Sequence, residues 1–520
     1  MKKTYKFILV SAAACISLAS CNKWLDVQPS TEVDRDVLFA TEAGFADAMS
    51  GVYAKLTDDN LYGKFLTWQG LELLGGTGTY LSSTNNDIAK FYFHPKSSNY
   101  KEYLRTAYMD PVWNEMYNAI ANINSILEMI DDKKDVFEGD DYSIFKGEAL
   151  GLRAFIHFDL LRLYAPSKAH GSWGEGYIPY VTELTSQVNA ILSPEQFGAL
   201  LIDDLTKAKE LLQYDPMYLG TEPSSYTASS VTGNASYRST YNIKVWHNRR
   251  FHFNYYAVVA TMARVYQWLG DDENALECAK EIIDAQDKAF FWVKNQLVTN
   301  IESTSNSVPR DRTFSTEQIF ALNITDLETR TDGYHWEGES AFLTNYDALG
   351  FDASAFETST RSLDSRFAYL KTTFTAMGPD MYLTLKYRKD KDLNSMYSPW
   401  SANRLPIIRS SEMYYIAAEC EPDLATATSY LEQVRSHRGL STSPLKNVTD
   451  KASLQTEIEN EYKKEFVAEG QYFYYIKRKD KSHSSKNIWE VSGTSIQTDF
   501  YTFLRPDDEN TYGGRPSQVD

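Results

Sequence analysis

Gly147-Glu-Ala-Leu-Gly-Leu-Arg-Ala-Phe-Ile-His-Phe-Asp-Leu-Leu-Arg162 is the stretch that decides the fold of this chain. At about 100° per residue along an α-helix, its apolar side chains fall nearly all the way round the helix axis. That distribution predicts a core helix that packs against neighbours on several sides. Pro166 ends the helix, because proline cannot continue the backbone hydrogen bonding.

Four polar side chains of this helix need partners inside the protein: Arg153, His157, Asp159 and Arg162. An unpaired buried charge costs several kcal/mol or shifts its pKa. Asp159 and Arg162 are three positions apart and can meet on one face, whereas Asp159 and Arg153 point apart. We therefore expect an Asp159–Arg162 ion pair and another buried partner for Arg153.

The rest of the chain predicts a mostly α-helical protein with two kinds of region. A tetratricopeptide-like scaffold of helix pairs is expected over about residues 41–60, 110–290 and 405–480. A loop-rich, irregular ligand-binding lobe is expected over about residues 61–109 and 290–404, where glycine, serine, threonine and aromatic residues dominate. Long loops in compact proteins are often functional, so this lobe is the place to look for a site.

One helix pair is especially clear in the sequence. Asn254 to Gly270 and Glu273 to Ala285 each have helical periodicity, and Gly270-Asp271-Asp272 joins them. Their alanines let the two helices approach closely, which predicts a tetratricopeptide-like hairpin.

The N-terminus has the pattern of a secretory signal over residues 1–20. Early lysines precede an apolar run from Phe7 to Leu18, and small residues then lead to Cys21. Small residues before a cysteine at this point resemble a bacterial lipobox, in which Cys21 receives the lipid; the alternatives are an ordinary signal peptide or an anchor helix. Several acyl chains on Cys21 would hold the protein firmly on a membrane.

Composition narrows the class of ligand. The formal net charge is −18, and the absence of a Lys/Arg cluster argues against nucleic acid as a partner. Aromatic residues make up 14% of the chain, which suits either extra core bulk or exposed surfaces that stack on flat, uncharged ligands. Two cysteines of the mature chain, Cys278 and Cys420, make no disulfide framework and are expected to be buried thiols.

The sequence contains no recognisable catalytic or metal motif. Gly75-Gly-Thr-Gly78 lacks the lysine of a phosphate-binding loop, and His247 and His252 lack the spacing and glutamate of a zinc protease helix. Chance alone supplies carboxylate pairs among 70 acidic residues, so their number predicts no glycosidase. We therefore expect no enzyme activity, no cofactor and no metal, with a glycoside hydrolase as the less favoured alternative.

Several motifs together resemble the RagB/SusD family of outer-membrane nutrient-binding lipoproteins. Besides the helix of residues 147–162 they are Cys21-Asn-Lys-Trp-Leu-Asp-Val-Gln-Pro29, Gly51-Val-Tyr53, Trp113 with Tyr117 and Ile120, Leu405 to Glu419, and Glu465-Phe-Val-Ala-Glu469-Gly470. The resemblance runs from Cys21 to Arg478 and implies one SusD-like domain over residues 21–520. It also implies an outer-membrane location, facing the cell exterior, and a SusC-like TonB-dependent transporter as partner.

Candidate ligand-binding residues lie in the predicted lobe. A sugar ring presents a flat C–H face and many hydroxyls, so its site needs aromatic plates beside amides or carboxylates. The candidates are Tyr80, Tyr92, Tyr334 and Trp336 as plates and Asn85, Asn86 and Asp87 as hydrogen-bonding groups. Packing beneath a loop is the alternative for each aromatic residue. The expected ligand is an oligosaccharide, and a peptide is the runner-up.

Overall fold

The computed structural model describes residues 35–80, 104–171, 173–220, 249–299, 311–332, 349–371, 381–387, 403–484, 495–496 and 501–516. Its α-helices are α1 Arg35–Leu38, α2 Glu42–Leu56, α3 Gly70–Gly75, α4 Asp110–Ile130, α5 Asp141–Tyr164, α6 Pro194–Leu211, α7 Tyr255–Leu269, α8 Asp272–Ile283, α9 Asn295–Thr299, α10 Leu327–Asp332, α11 Ser410–Cys420, α12 Leu424–Arg435, α13 Lys451–Glu465, α14 Gln471–Arg478 and α15 Asp507–Thr511. Its strands are β1 Gly78–Tyr80, β2 Ile178–Pro179, β3 Ile191–Leu192, β4 Gln318–Asn323, β5 Leu349–Asp352, β6 Leu370–Lys371, β7 Met381–Thr384, β8 Arg404–Arg409, β9 His483–Ser484 and β10 Ser495–Ile496.

Helix α5 contains the stretch of residues 147–162 and lies at the centre of the scaffold. Every residue from Gly147 to Tyr164 is buried, and the helix packs against α4, α6 and α7. A Cβ atom at Gly151 would lie 2.8 Å from the Phe253 ring and from Val258, so glycine permits the close approach of the chain beside α7. The prediction of a core helix packed on several sides is confirmed.

The buried charges of α5 are paired as the helix geometry requires. The Arg162 guanidinium donates to Asp159, with Nε at 3.1 Å from Oδ1, and Tyr62 donates to the same carboxylate at 2.6 Å. Arg153 instead reaches α6, where its Nε and Nη2 atoms form a forked contact of 2.9 and 2.8 Å with Asp204. The predicted Asp159–Arg162 pair is confirmed, and Asp204 is the partner of Arg153.

His157 is a structural histidine in the core. The Val181 N–H donates to Nε2 at 3.0 Å, so the ring proton lies on Nδ1, which is 3.0 Å from the Arg153 carbonyl oxygen. Burial, aided by the charge of Arg153, lowers the pKa of His157 to about 3. The ring is therefore neutral at physiological pH and serves to fix the segment around Val181 against α5.

The scaffold is a series of helices, each packed on the next. The order of neighbours is α2, α4, α5, α6, α7, α8, α11 and α12, and α13 then packs on α11 and α12. The hairpin of α7 and α8 begins with the N-cap Asn254, whose side chain accepts from Ala257 N–H, and turns at Gly270 in the left-handed conformation. This arrangement confirms the expected mostly α-helical, tetratricopeptide-like fold.

The strands form small antiparallel sheets between the helices. β4 pairs with β8 across a buried ladder that includes Ala321–Pro406 and Leu322–Leu405. The largest sheet formed by the described residues has four strands in the order β1, β5, β7 and β6, and it lies in the part of the chain predicted to be irregular. Among the described residues, no helix has both the length and the apolar character needed to cross a membrane.

Residues 61–80 begin with turns over 61–68 and are buried over most of their length. They include helix α3, all of which is buried, and Trp68, whose indole N–H donates to the Gly63 carbonyl oxygen at 3.0 Å. Glycines and polar residues mark turns locally, but long-range packing decides whether such turns are exposed. Here the segment is packed against α14, where Phe473 lies close to Gly75.

Candidate ligand-binding site

One candidate ligand-binding residue, Tyr80, lies in the four-stranded sheet, and the other candidates lie in segments that adjoin β1 or β5 in the sequence. In the antiparallel β1–β5 pair, Tyr80 lies opposite Leu349. Tyr80 is the last residue of β1 and Leu349 is the first residue of β5. Paired residues of neighbouring strands are roughly 5 Å apart. The chain therefore leaves β1 and enters β5 at the same end of the sheet.

This register relates the two groups of candidates. Asn85, Asn86, Asp87 and Tyr92 follow β1 in sequence, and Tyr334 and Trp336 precede β5. These six residues lie outside the described residues, and for Tyr80 the structure describes the backbone only. The backbone register brings together the points at which their two segments join the sheet.

The connection from β6 to β7 joins the sheet at its opposite end. β6 and β7 are antiparallel neighbours, with Lys371 opposite Leu383, and Met381 at the start of β7 lies opposite Asp352 at the end of β5. The link between β6 and β7 consequently joins the sheet at the end remote from Tyr80. The segments that follow β1 and precede β5 thus join the sheet at one end, and the link between β6 and β7 joins it at the other.

The sheet is fastened to the scaffold through one buried carboxylate. Glu72 accepts a hydrogen bond from the Thr77 hydroxyl at 2.5 Å, and the backbone carbonyl oxygen of Thr77 accepts the Asp352 N–H at 2.8 Å. The other Glu72 oxygen accepts the backbone N–H groups of Glu469 and Gly470 at 3.1 and 2.8 Å. Glu72 therefore joins the β1–β5 edge to the turn that precedes α14.

The environment of Glu72 changes its acidity. Burial raises the pKa of Glu72 to about 7, although the hydrogen bonds from Thr77 and Gly470 and the charge of Lys386 act in the opposite direction. Lys386, just after β7, donates to the Val467 carbonyl oxygen at 2.9 Å, and Tyr387 donates to that of Ala468 at 2.8 Å. Both β1 and β7 are thus tied to the turn of residues 467–470.

A buried charge cluster joins the predicted lobe to helices α12 and α13. It consists of Arg366, Arg409, Arg435 and Arg438 with Glu317, Asp364, Glu461, Glu465 and Glu469. Glu465 receives three arginines: Arg409 at 2.5 Å, Arg438 at 2.6 Å and Arg366 at 2.9 Å. Close, hydrogen-bonded contacts of this kind are needed to offset the desolvation cost of so many buried charges.

Two carboxylates of the cluster, Glu465 and Glu461, are held in the ionised state. Burial by itself would raise the pKa of Glu465, but the neighbouring charges of Arg438 and Arg409 outweigh it and hold that pKa well below its usual range. The same competition, with Arg366 as the main opposing charge, lowers the pKa of Glu461. The sequence pattern did not reveal this cluster, although Glu465 and Glu469 lie in one of the motifs that resemble the family.

Most aromatic residues of the described chain are used in packing. Phe155 on α5 lies 5.7 Å from Tyr62 and 5.3 Å from Phe253, between ring centroids, and all three rings are buried. Trp292, in the predicted lobe, is covered by His437, whose ring is stacked at 4.4 Å and 10°. Core bulk therefore accounts for much of the aromatic content, and one face of Trp292 is occupied by His437.

The described residues contain no obvious chemistry for a metal. Among them, no group of three or more histidine, cysteine, aspartate or glutamate side chains could hold an ion. The two described cysteines, Cys278 and Cys420, are both free and buried, as predicted. Cys21, the expected lipidation site, lies outside the described residues.

Comparisons with known proteins agree with this architecture. A family model described as starch-binding and associating with the outer membrane matches residues 23–269, and the SusD family model matches residues 284–510. No curated protein matches the sequence. The first family model ends in helix α7 and the second begins just after α8, so together they span the scaffold and the predicted lobe.

Solved structures show the same fold at low sequence identity. A SusD superfamily protein from Bacteroides vulgatus is 18% identical with a TM-score of 0.66, and the match covers 91% of this chain and 98% of that one. One from Bacteroides thetaiotaomicron is 19% identical, with a TM-score of 0.62 and coverage of 89% and 96%. A SusD-like carbohydrate binding protein from B. vulgatus is 16% identical, with a TM-score of 0.61 and coverage of 92% and 99%.

The helical scaffold, the small sheet and these matches define a SusD-type protein. The chain belongs to the SusD/RagB family. This family is associated with the outer membrane, and carbohydrate binding is the function that the matches support at the level of the family.

Proposed function

We propose that this protein is a cell-surface lipoprotein that captures oligosaccharides and passes them to a SusC-like TonB-dependent transporter. The lipid on Cys21 anchors it in the outer membrane, facing the exterior. Tyr80, Tyr92, Tyr334 and Trp336 stack on sugar rings, while Asn85, Asn86 and Asp87 bind hydroxyl groups. The protein binds the sugar without cleaving it.

The observation that carries this proposal is the pairing of Tyr80 with Leu349. It joins the segment that follows β1 and the segment that precedes β5 at one end of one sheet. Residues that are more than 240 positions apart in sequence, such as Tyr92 and Trp336, can then contribute to a single surface. Attachment of this sheet to the scaffold through Glu72 and Lys386 gives that surface a fixed base.

The strength of binding follows from the number of plates. Stacking contributes about 1 kcal/mol per aromatic ring, so a ligand that stacks on two of the four plates and makes a few hydrogen bonds should have a dissociation constant on the order of micromolar to millimolar. Weak binding suits a protein that must release its ligand to a transporter. A ligand held much more tightly would stay on the lipoprotein.

The ligand proposal is tested by titrating the full mature chain with a panel of neutral oligosaccharides and short peptides. We expect heat with at least one oligosaccharide, and a loss of affinity of about fivefold for each of Tyr80→Ala, Tyr92→Ala, Tyr334→Ala and Trp336→Ala that removes a plate. Tyr512→Ala is the matched control, because Tyr512 is exposed in the α15 region and should leave the affinity unchanged.

The outcomes separate the alternatives. Binding of peptides with no response to any oligosaccharide would replace the sugar with a peptide as the ligand. Oligosaccharide binding that is unaffected by all four substitutions would reject the assigned plates. Appearance of shortened sugars during incubation would replace the binding protein with a hydrolase.

The anchoring and transport parts have their own tests. Cys21→Ala should abolish incorporation of labelled fatty acid and release the protein from the membrane fraction. Digestion of intact cells with a protease should remove the wild-type protein if it faces outward. Affinity purification from solubilised outer membranes should retain the transporter; recovery of the lipoprotein alone under mild detergent would oppose the partnership.

A further inference from the structure

A second concave site lies on the helical scaffold. It is a cavity of about 470 Å³ lined by the ends of α7, α11 and α14, by α13 and by residues just after α5. None of its lining residues belongs to the four-stranded sheet. Its volume falls in the range of pockets that hold small organic ligands.

The floor of this scaffold cavity is apolar. Trp268 is 3% exposed, and Leu454 and Ile458 are each 1% exposed. The Trp268 indole N–H is buried and has no hydrogen-bond acceptor among the described residues. Beside this floor, Gln267 and Gln455 supply amide groups. An apolar surface flanked by amides suits the carbon face and the hydroxyls of a sugar ring.

The walls of the scaffold cavity carry an excess of positive charge. Arg478 and Lys479 share one carboxylate, Glu419, which Arg478 contacts in a fork of 2.6 and 2.7 Å and which balances one of their two charges. Lys168 and Lys451 have no carboxylate within ion-pair distance among the described residues. Lys168 donates to the Leu269 carbonyl oxygen at 2.8 Å, and Lys451 donates to that of Glu421.

The charge balance of the lining is unusual for this protein. Four lining side chains are cationic and two, Glu419 and Asp272, are carboxylates, whereas the whole chain has a formal net charge of −18. A concave site with an excess of positive charge concentrates negatively charged ligands. A carboxylate group that enters the cavity would pair with Lys168 and Lys451 without displacing an existing ion pair.

We propose that the scaffold cavity binds a sugar acid, such as a uronic acid of one or two units. The carboxylate lies between Lys168 and Lys451, the ring packs on the floor of Trp268 and Leu454, and the amides bind hydroxyls. This site is separate from the proposed surface for neutral oligosaccharides, and it gives the protein a second specificity, for the charged units of a glycan.

The test is a titration of the full mature chain with glucuronate, galacturonate and digalacturonate against the matched neutral sugars glucose and galactose. We expect the acids to bind about tenfold more tightly than the neutral sugars, and the preference to shrink as salt is raised. The double variant Lys168→Gln/Lys451→Gln should lose that preference, and Lys168→Arg/Lys451→Arg should retain it. Lys207→Gln/Lys446→Gln, which removes two exposed charges elsewhere, is the matched control.

Several results would overturn this assignment. One is equal binding of neutral and acidic sugars, and another is full binding by the Lys168→Gln/Lys451→Gln protein. Acetate or a dipeptide carboxylate that binds as strongly as the uronates would show a general carboxylate site instead of a sugar-acid site. Loss of uronate binding in Trp336→Ala would place the uronate in the lobe and not in the scaffold cavity. Failure of neutral oligosaccharides to bind would reject the proposed sugar surface of the lobe, but uronate binding that depends on Lys168 and Lys451 would still support the scaffold site.

Discussion

Gly470 donates its backbone N–H to Glu72 across 2.8 Å, although 398 positions separate the two residues in the chain. The same carboxylate receives the hydroxyl of Thr77, one residue before β1. One ionisable group thus connects the edge of the proposed binding sheet to the last helices of the scaffold. The stability of that connection should depend on pH.

Replacement of Glu72 by glutamine should remove this pH dependence. Burial raises the pKa of Glu72 from 4.5 to about 7, so the folded protein holds the proton more tightly than the unfolded chain. The resulting stabilisation is fully present below about pH 4.5 and is lost as the pH rises through about 7. Between about pH 5 and 8, the wild-type free energy of unfolding should fall relative to Glu72→Gln by about 3 kcal/mol.

Denaturant titrations of both proteins at a series of pH values measure this difference. Comparison with the variant cancels other titrating groups, such as His157, whose lowered pKa acts in the opposite direction over part of the range. Glu115→Gln, which removes a partly exposed carboxylate paired with Lys55, is the control for the loss of one negative charge. A difference between wild type and Glu72→Gln that does not change with pH would mean that the Glu72 carboxylate is solvated in solution.

The position of Asp204 predicts a strong contrast with its neighbour Asp203. Asp204 is buried and accepts from Arg153 and Tyr180, whereas Asp203 is exposed and pairs only with Lys207 on the same helix among the described residues. Asp204→Asn should destabilise the fold by about 3 kcal/mol, because it leaves the buried Arg153 charge uncompensated. Asp203→Asn should cost less than about 0.5 kcal/mol.

Midpoints of denaturant unfolding for the two variants provide the comparison. Both substitutions remove one negative charge from α6, so changes in net charge cancel. Equal losses of stability would indicate that water reaches Arg153 and that the forked contact contributes little.

The contrast between Asp159 and Asp204 shows what the sequence could supply. Asp159 meets Arg162 on one helix, so the spacing along the chain was enough to predict the pair. Asp204 lies 51 positions from Arg153, and no local pattern joins them. The same limit applies to residues 61–80, whose turn-forming residues were recognised while their burial, which depends on α14, was not.

The candidate site divides in the same way. The aromatic composition of the predicted lobe was enough to select Tyr80 and Trp336 as candidates, because sugar rings stack on aromatic side chains. The register that joins their segments depends on β1 pairing with β5 across 269 residues, from Tyr80 to Leu349. Likewise the buried cluster around Glu465 depends on contacts between distant segments, which helical periodicity does not encode.

The two buried thiols should be unreactive in the folded protein. Burial raises the pKa of Cys278 to about 12 and also raises the pKa of Cys420, so neither forms much thiolate near neutral pH. A thiol reagent at about pH 8 should label them only after denaturation, when the pKa of cysteine returns to near 8.5.

An added surface cysteine calibrates that experiment. Ser441→Cys lies at an exposed position after α12 and should react within the mixing time of a native assay. Slow labelling of this site would invalidate the assay, and rapid native labelling of Cys278 or Cys420 would show that α8 or α11 opens readily.

Replacement of Gly470 by alanine should destabilise the fold through both a steric clash and an unfavourable backbone conformation, and Gly139 allows the two effects to be separated. Its φ angle is +71°, and a Cβ atom there would lie 2.5 Å from the Leu66 carbonyl oxygen, so Gly470→Ala adds a clash to an unfavourable backbone conformation. Gly139 has a φ angle of +57°, but a Cβ atom there would meet nothing within 4 Å, so Gly139→Ala carries only the conformational cost of about 1 kcal/mol.

Thermal unfolding should therefore show a loss of stability for Gly470→Ala that exceeds the loss for Gly139→Ala by about 1–3 kcal/mol. Gly470→Ala should also weaken oligosaccharide binding, because it displaces the turn that holds β1 and β7. Equal losses for the two variants would mean that the turn of residues 467–470 moves aside without disturbing the sheet, and the mechanical link between scaffold and binding surface would then be wrong.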